Sequence, residues 1–111
     1  MRTSFTAVIE QGNTFTADFS TEPYETAWAT EARWFVRVLD LSGEDVSLHL
    51  FPEISPDGLF WCEEGSPPIV AATVGMQSLP LREFGHWLRL RGEFRGSEPR
   101  VKLLIYLALK E

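Results

Sequence analysis

The sequence predicts an all-β fold, an antiparallel β-sandwich of the jelly-roll kind with about eight strands. Three observations carry that prediction. Apolar and polar residues alternate through most of the readable segments, the period of a strand with one face buried. Polar connections bearing proline or glycine interrupt the alternation at short intervals. No long segment has helical periodicity, and neither a repeat nor a linker divides the chain, so residues 1–111 read as a single domain.

The first two strands run from Phe5 to Glu10 and from Asn13 to Phe19 around a tight turn at Gln11-Gly12, with Phe15, Ala17 and Phe19 on one face. Pro23 limits regular structure after them. Ala27, Ala29, Glu31, Ala32 and Arg33 are good helix formers, which leaves a short helical turn open before a strand from Ala32 to Leu39. In that strand Trp34, Val36 and Val38 face one way, and Arg33, Phe35, Arg37 and Leu39 the other. Ser42 to Asp45 supplies a loop. Val46, Leu48 and Leu50 then alternate with Ser47, His49 and Phe51, and Pro52 ends this strand or marks an edge.

Ser55-Pro56-Asp57-Gly58 has turn chemistry, after which Leu59, Phe60 and Trp61 resume an apolar strand. An acidic loop from Glu63 to Pro68 precedes the β-branched run from Ile69 to Val74. A short strand at Leu79 and Leu81, a strand from His86 to Arg91 and a loop from Gly92 to Pro99 lead to the last strand. That strand puts Val101, Leu103, Ile105, Leu107 and Leu109 on one side. Leu104, Tyr106 and Ala108 make its other side apolar too, and such a face needs cover from a second layer or a partner chain.

The phrase from Ile54 to Trp61, the strand before it and the later phrase Phe84-Gly85-His86-Trp87-Leu88-Arg89-Leu90 resemble discoidin-type or galactose-binding-like jelly rolls over roughly Ala32 to Leu109. The chain lacks the terminal cysteine pair common in those modules and is shorter than they are. It equally resembles small jelly-roll proteins of bacteriophage particles. That resemblance implies an accessory or decoration subunit without catalytic activity, and it supplies no binding residue.

Sixteen acidic against ten basic side chains give a net charge of -6, which disfavours a nucleic-acid backbone as partner. One cysteine, Cys62, excludes an internal disulfide and a four-cysteine zinc site, and it reads as a small hydrophobe at the core edge. The start of the chain has no signal-peptide pattern and no run is long enough to span a membrane. These features predict a cytoplasmic protein or one assembled in a particle, with no membrane contact.

Candidate chemistry is sparse. His49, Cys62 and His86 would make a thiol site only by converging, and the same histidines would bind zinc only with nearby carboxylates. Asp57, Glu63 and Glu64 offer oxygen ligands for calcium but lack its loop spacing. No cofactor follows from these residues. Trp34 and Trp87 are expected to fill the space between the sheets, with Trp61 at the core edge and Trp28 on a loop beside Tyr24.

The leading expectation is a non-enzymatic structural or protein-interaction subunit that self-associates, with Leu104, Tyr106, Ala108, Arg89 and Arg91 as interface candidates. The alternative is a carbohydrate-binding module that recognises a glycan through Tyr24, Trp28, Asp57 and Glu63.

Overall fold

The computed structural model describes residues 3–111. Its strands are β1 (Ser4–Phe15), β2 (Phe19–Ser20), β3 (Tyr24–Glu25), β4 (Glu31–Ser55), β5 (Cys62–Glu63), β6 (Ile69–Ala71), β7 (Gly75–Arg82) and β8 (Trp87–Lys110). They form four antiparallel runs. The β4 and β8 strands pair with each other along almost their whole length. The N-terminal run, β1 to β3, follows β8, and the run from β5 to β7 follows β4.

This four-run ribbon folds over on itself. A straight strand of 25 residues would reach roughly 80 Å at the usual rise, whereas the longest dimension of the molecule is 47 Å. The connection between β3 and β4 shows where the ends go. Thr26 N–H donates to the His86 carbonyl at 2.6 Å and Thr30 N–H to the Lys110 carbonyl at 2.8 Å. Five residues therefore link the two ends of β8, so the sheet has doubled into the expected two-layer sandwich.

The fold line lies at residues 43–45 and 96–98, where Gly43, Asp45, Gly96 and Glu98 all have positive φ and the β4–β8 register shifts repeatedly. The segments Ser42 to Asp45 and Gly92 to Pro99 are thus corners within continuous strands, not the loops expected from their composition. Bulges add the twist and bend that a sheet needs to turn over, and they use the same residue types as loops.

Alternation supplies the core. Trp34, Val36 and Val38 in the first half of β4 face Leu48 and Leu50 from its second half, together with Leu88, Leu90 and the odd-numbered residues Val101 to Leu109. Phe15 and Phe19 stack at 4.0 Å between ring centroids and pack against this cluster. The expected hairpin at Gln11-Gly12 is absent. Both flanking segments pair with β8 as one strand, with register shifts between Val8 and Glu10 and between Gln11 and Asn13. The turn chemistry here makes bulges along an edge strand.

Pro52 does not end β4, which continues to Ser55. Its carbonyl points away from β8 and accepts from Glu64 N–H at 3.0 Å, so the missing N–H lies on that same side and the β4–β8 ladder stays intact. The segment from Ala27 to Ala29 is a turn closed by Ala29 N–H donating to the Thr26 carbonyl, not a helical one. The expected strand from Leu59 to Trp61 is an exposed loop, since pairing resumes only at Cys62 and Glu63. Among the described residues, no helix is long and apolar enough to cross a membrane.

Candidate functional site

The outer face of the first half-sandwich is built from strands whose inner residues are already spent on the core. Cross-strand partners share a face, so the register defines its rows. Val8, Tyr106, Phe35 and Ser78 form one row across β1, β8, β4 and β7. Thr6, Ala108, Arg33 and Pro80 lie on one side of it, and Gln11, Leu104, Arg37 and Met76 on the other. Val8 and Met76 are more than half exposed, while Phe35, Leu104, Tyr106 and Ala108 are half-buried by their neighbours.

An apolar centre with a basic rim results. Lys110, Glu31 and Arg82 make the next row, in which Arg82 pairs with Glu31 at 3.2 Å. Arg33 donates to the Ser78 hydroxyl at 2.9 Å. Among the described residues, five cationic side chains (Arg33, Arg37, Arg82, Lys102 and Lys110) lie on this face of an acidic protein. A groove of about 380 Å³ runs over Phe35, Pro80 and Ala108 at its end.

Arg89 and Arg91 are elsewhere, on the outer face of the second half-sandwich. Glu53 stands between them, its Oε1 accepting from Arg89 Nε at 2.7 Å and its Oε2 from Arg91 Nε at 3.1 Å. Arg91 also reaches Glu63 at 3.1 Å and pairs with Glu93. The Arg89 guanidinium lies 4.3 Å from the centre of the Trp61 ring, and that of Arg91 lies 4.6 Å from Phe51. Burial opposes the charge of Arg91, but Glu53 and Glu93 outweigh it and hold its pKa above the ordinary value. This cluster is internally satisfied. It leaves Glu53 only 7% exposed although its strand position faces outward.

The interface candidates therefore divide between the two layers: Leu104, Tyr106 and Ala108 share one face, and the two arginines belong to the other. The glycan candidates are also dispersed. Tyr24 is in β3, not on a loop, and packs against the core. Trp28 sits on the exposed turn after it. Tyr24 and Glu63 lie at opposite edges of the half-sheet, with β8 and β4 between them, a separation of roughly 14 Å.

Asp57 is engaged by its own turn. Its Oδ1 accepts from Leu59 N–H at 2.9 Å, Phe60 N–H at 3.0 Å and the Ser55 hydroxyl at 3.0 Å. Glu64 accepts from Ser66 N–H at 3.0 Å. Cys62 pairs with Ile54, five residues from His49 along β4 or roughly 17 Å, and His86 lies beyond the Ser55–Trp87 pair at the end of that strand. The three do not converge, and among the described residues no group of three or more His, Cys, Asp or Glu is arranged to hold a metal.

Cys62 is exposed, in contrast to its expected place at the core edge, because its short strand lies at the margin of the sheet. Trp87 is a second correction. Leu88 and Leu90 take the inward positions, so Trp87 faces out, half-buried against Gly58. Neither Phe35 in the apolar face nor Glu53 between the arginines is among the site residues that the sequence suggests. Phe35 was already legible by parity with Arg33 and Arg37, whereas the Glu53 contacts span 36 and 38 residues and have no local signature.

No protein-family model and no curated protein matches the chain. Among solved structures, dimeric latent PorU from Porphyromonas gingivalis matches 99% of this chain with a TM-score of 0.56 and 14% identity. The match spans 13% of the PorU chain. A structure of FLHE matches 99% of this chain and 94% of its own, with a TM-score of 0.44 and 13% identity. A family two carbohydrate esterase from Cellvibrio japonicus matches 99% of this chain and 34% of its own, with a TM-score of 0.37 and 12% identity. The PorU likeness shows that this chain shares its β-sandwich fold with a segment of a much longer protein.

Proposed function

We propose that the chain is a non-enzymatic structural or protein-interaction subunit that self-associates, with the outer face of β1, β8, β4 and β7 as its contact surface. The observation that carries this reading is the Val8–Tyr106–Phe35 row, flanked by Leu104, Ala108 and Met76. A sheet face left to solvent ordinarily carries polar residues at these positions. A contiguous apolar centre rimmed by charge is the composition of a protein contact. The resemblance to jelly-roll accessory subunits of bacteriophage particles accords with the same role.

Light scattering over a concentration series tests the proposal. The expected result is a mass that rises above the 12.6 kDa monomer with concentration, and a Tyr106→Asp variant that stays monomeric where the wild type has assembled. A wild-type chain that remains monomeric at high micromolar concentration overturns it.

A further inference from the structure

At the tip of the Ser55–Trp61 loop, Leu59 and Phe60 are each 77% exposed. Adjacent large apolar side chains with that exposure are costly to leave in water. They are also held firmly in place. Asp57 accepts from both of their N–H groups, the Ser55 hydroxyl accepts from Asp57 N–H and Gly58 N–H, and the turn rests on the Trp87 ring through Gly58. A preorganised apolar projection loses little conformational freedom on binding.

The charge around this tip is net acidic. From Val38 to Leu81 the chain has seven acidic residues and no lysine or arginine, and Asp57, Glu63 and Glu64 flank the tip, while the two arginines beside it are already paired, Arg89 with Glu53 and Arg91 with Glu53, Glu63 and Glu93. The groove over Phe35, Pro80 and Ala108 has the complementary character, because Arg33, Arg82 and Lys110 line it against a single acid, Glu31, which pairs with Arg82. Tip and groove belong to different layers of the sandwich, the tip following the second half of β4 and the groove lying on the outer face of its first half.

We infer that copies of this chain join head to tail, the Leu59–Phe60 tip of one seating in the groove of the next while the acidic flank of the tip meets the basic rim. The inference rests on the self-association reading and specifies its geometry. Two different patches in contact make a heterologous interface, which closes into a ring or extends as a filament according to the rotation between copies. Opposite charge sets the register and speeds encounter, and the buried aromatic anchor supplies the affinity.

Sedimentation velocity on the full chain and two variants tests it. Phe60→Asp disables the tip and Arg33→Glu the groove. Both residues are exposed, which spares the core. Each variant alone is expected to need at least about tenfold more protein to assemble than the wild type. An equimolar mixture of the two is expected to form dimers and nothing larger, because one competent tip meets one competent groove and the remaining pair is dead.

That rescue also shows that both variants are folded. If the wild type assembles and Phe60→Asp assembles equally well, or if the mixture fails to dimerise, the head-to-tail geometry is overturned while self-association stands. A wild-type chain that is monomeric throughout overturns both.

Discussion

Gly43 and Gly96 cross at the fold line, each presenting a bare α-carbon to the backbone of the other strand. A Cβ on Gly96 would lie 2.5 Å from the Asp45 carbonyl oxygen, and one on Gly43 would lie 2.6 Å from that of Glu98. Both residues have positive φ, at 103° and 115°. The corner that doubles the ribbon into two layers therefore depends on the absence of two side chains. Gly96→Ala adds a backbone clash to an unfavourable φ, and the expected loss is about 2–4 kcal/mol in urea unfolding. A loss below about 0.5 kcal/mol would show that the corner can relax around a methyl group.

Trp34 is fully buried at the centre of the core, and its indole N–H has no hydrogen-bond partner among the described residues. The ring stabilises by filling volume while its donor is desolvated without return. Trp34→Ala is expected to cost about 3–5 kcal/mol, as large aromatic truncations do. Trp34→Phe removes the orphan donor along with part of the volume and should cost less than half as much. Urea midpoints for the pair check this, and equal losses would show that volume alone matters at this site.

The inward positions of the sandwich were legible because burial leaves them little choice. Trp34, Val36 and Val38 in β4, and Val101 to Leu109 in β8, keep strict parity with the core. Corners were not legible, since Gly43 and Gly96 look the same in a loop and in a bent ladder. The apolar second face was half legible. Leu104, Tyr106 and Ala108 stood out within one strand, but their partners Phe35 and Val8 were joined to them only by long-range register. Arg89 and Arg91 were expected at an interface, because nothing local announces the Glu53 that holds them.

Among the described residues, Glu53 is the one acid that touches both of those arginines. Its removal leaves two neighbouring guanidinium groups, with side chains 23% and 29% exposed, without the carboxylate between them. Glu53→Ala is expected to cost about 2–3 kcal/mol, below the loss for a fully buried pair because solvent reaches both arginines. Glu63→Ala removes only an exposed contact to Arg91 and should cost under about 1 kcal/mol. Unfolding of the two variants side by side checks the contrast, and equal losses would mean that Glu53 is no better placed than a surface acid.

Asp57 gives the pH dependence. The N–H groups of Phe60 and then Leu59 hold its carboxyl below the ordinary value of 3.8; burial opposes them, and the Ser55 hydroxyl and the Asp57 N–H add to them. The folded state thus favours the ionised form, so this contribution is complete above the unfolded value and disappears as pH falls through the lower folded one. Asp57→Ala should be less stable than the wild type by a constant margin from pH 7 to about 5, and the margin should close below about pH 4. Chemical unfolding of both proteins across that range measures it. A margin that persists unchanged to pH 2 would show that the turn does not depend on the charge of Asp57. Because the same two N–H groups belong to Leu59 and Phe60, the acid that organises the turn also fixes how the apolar tip is displayed.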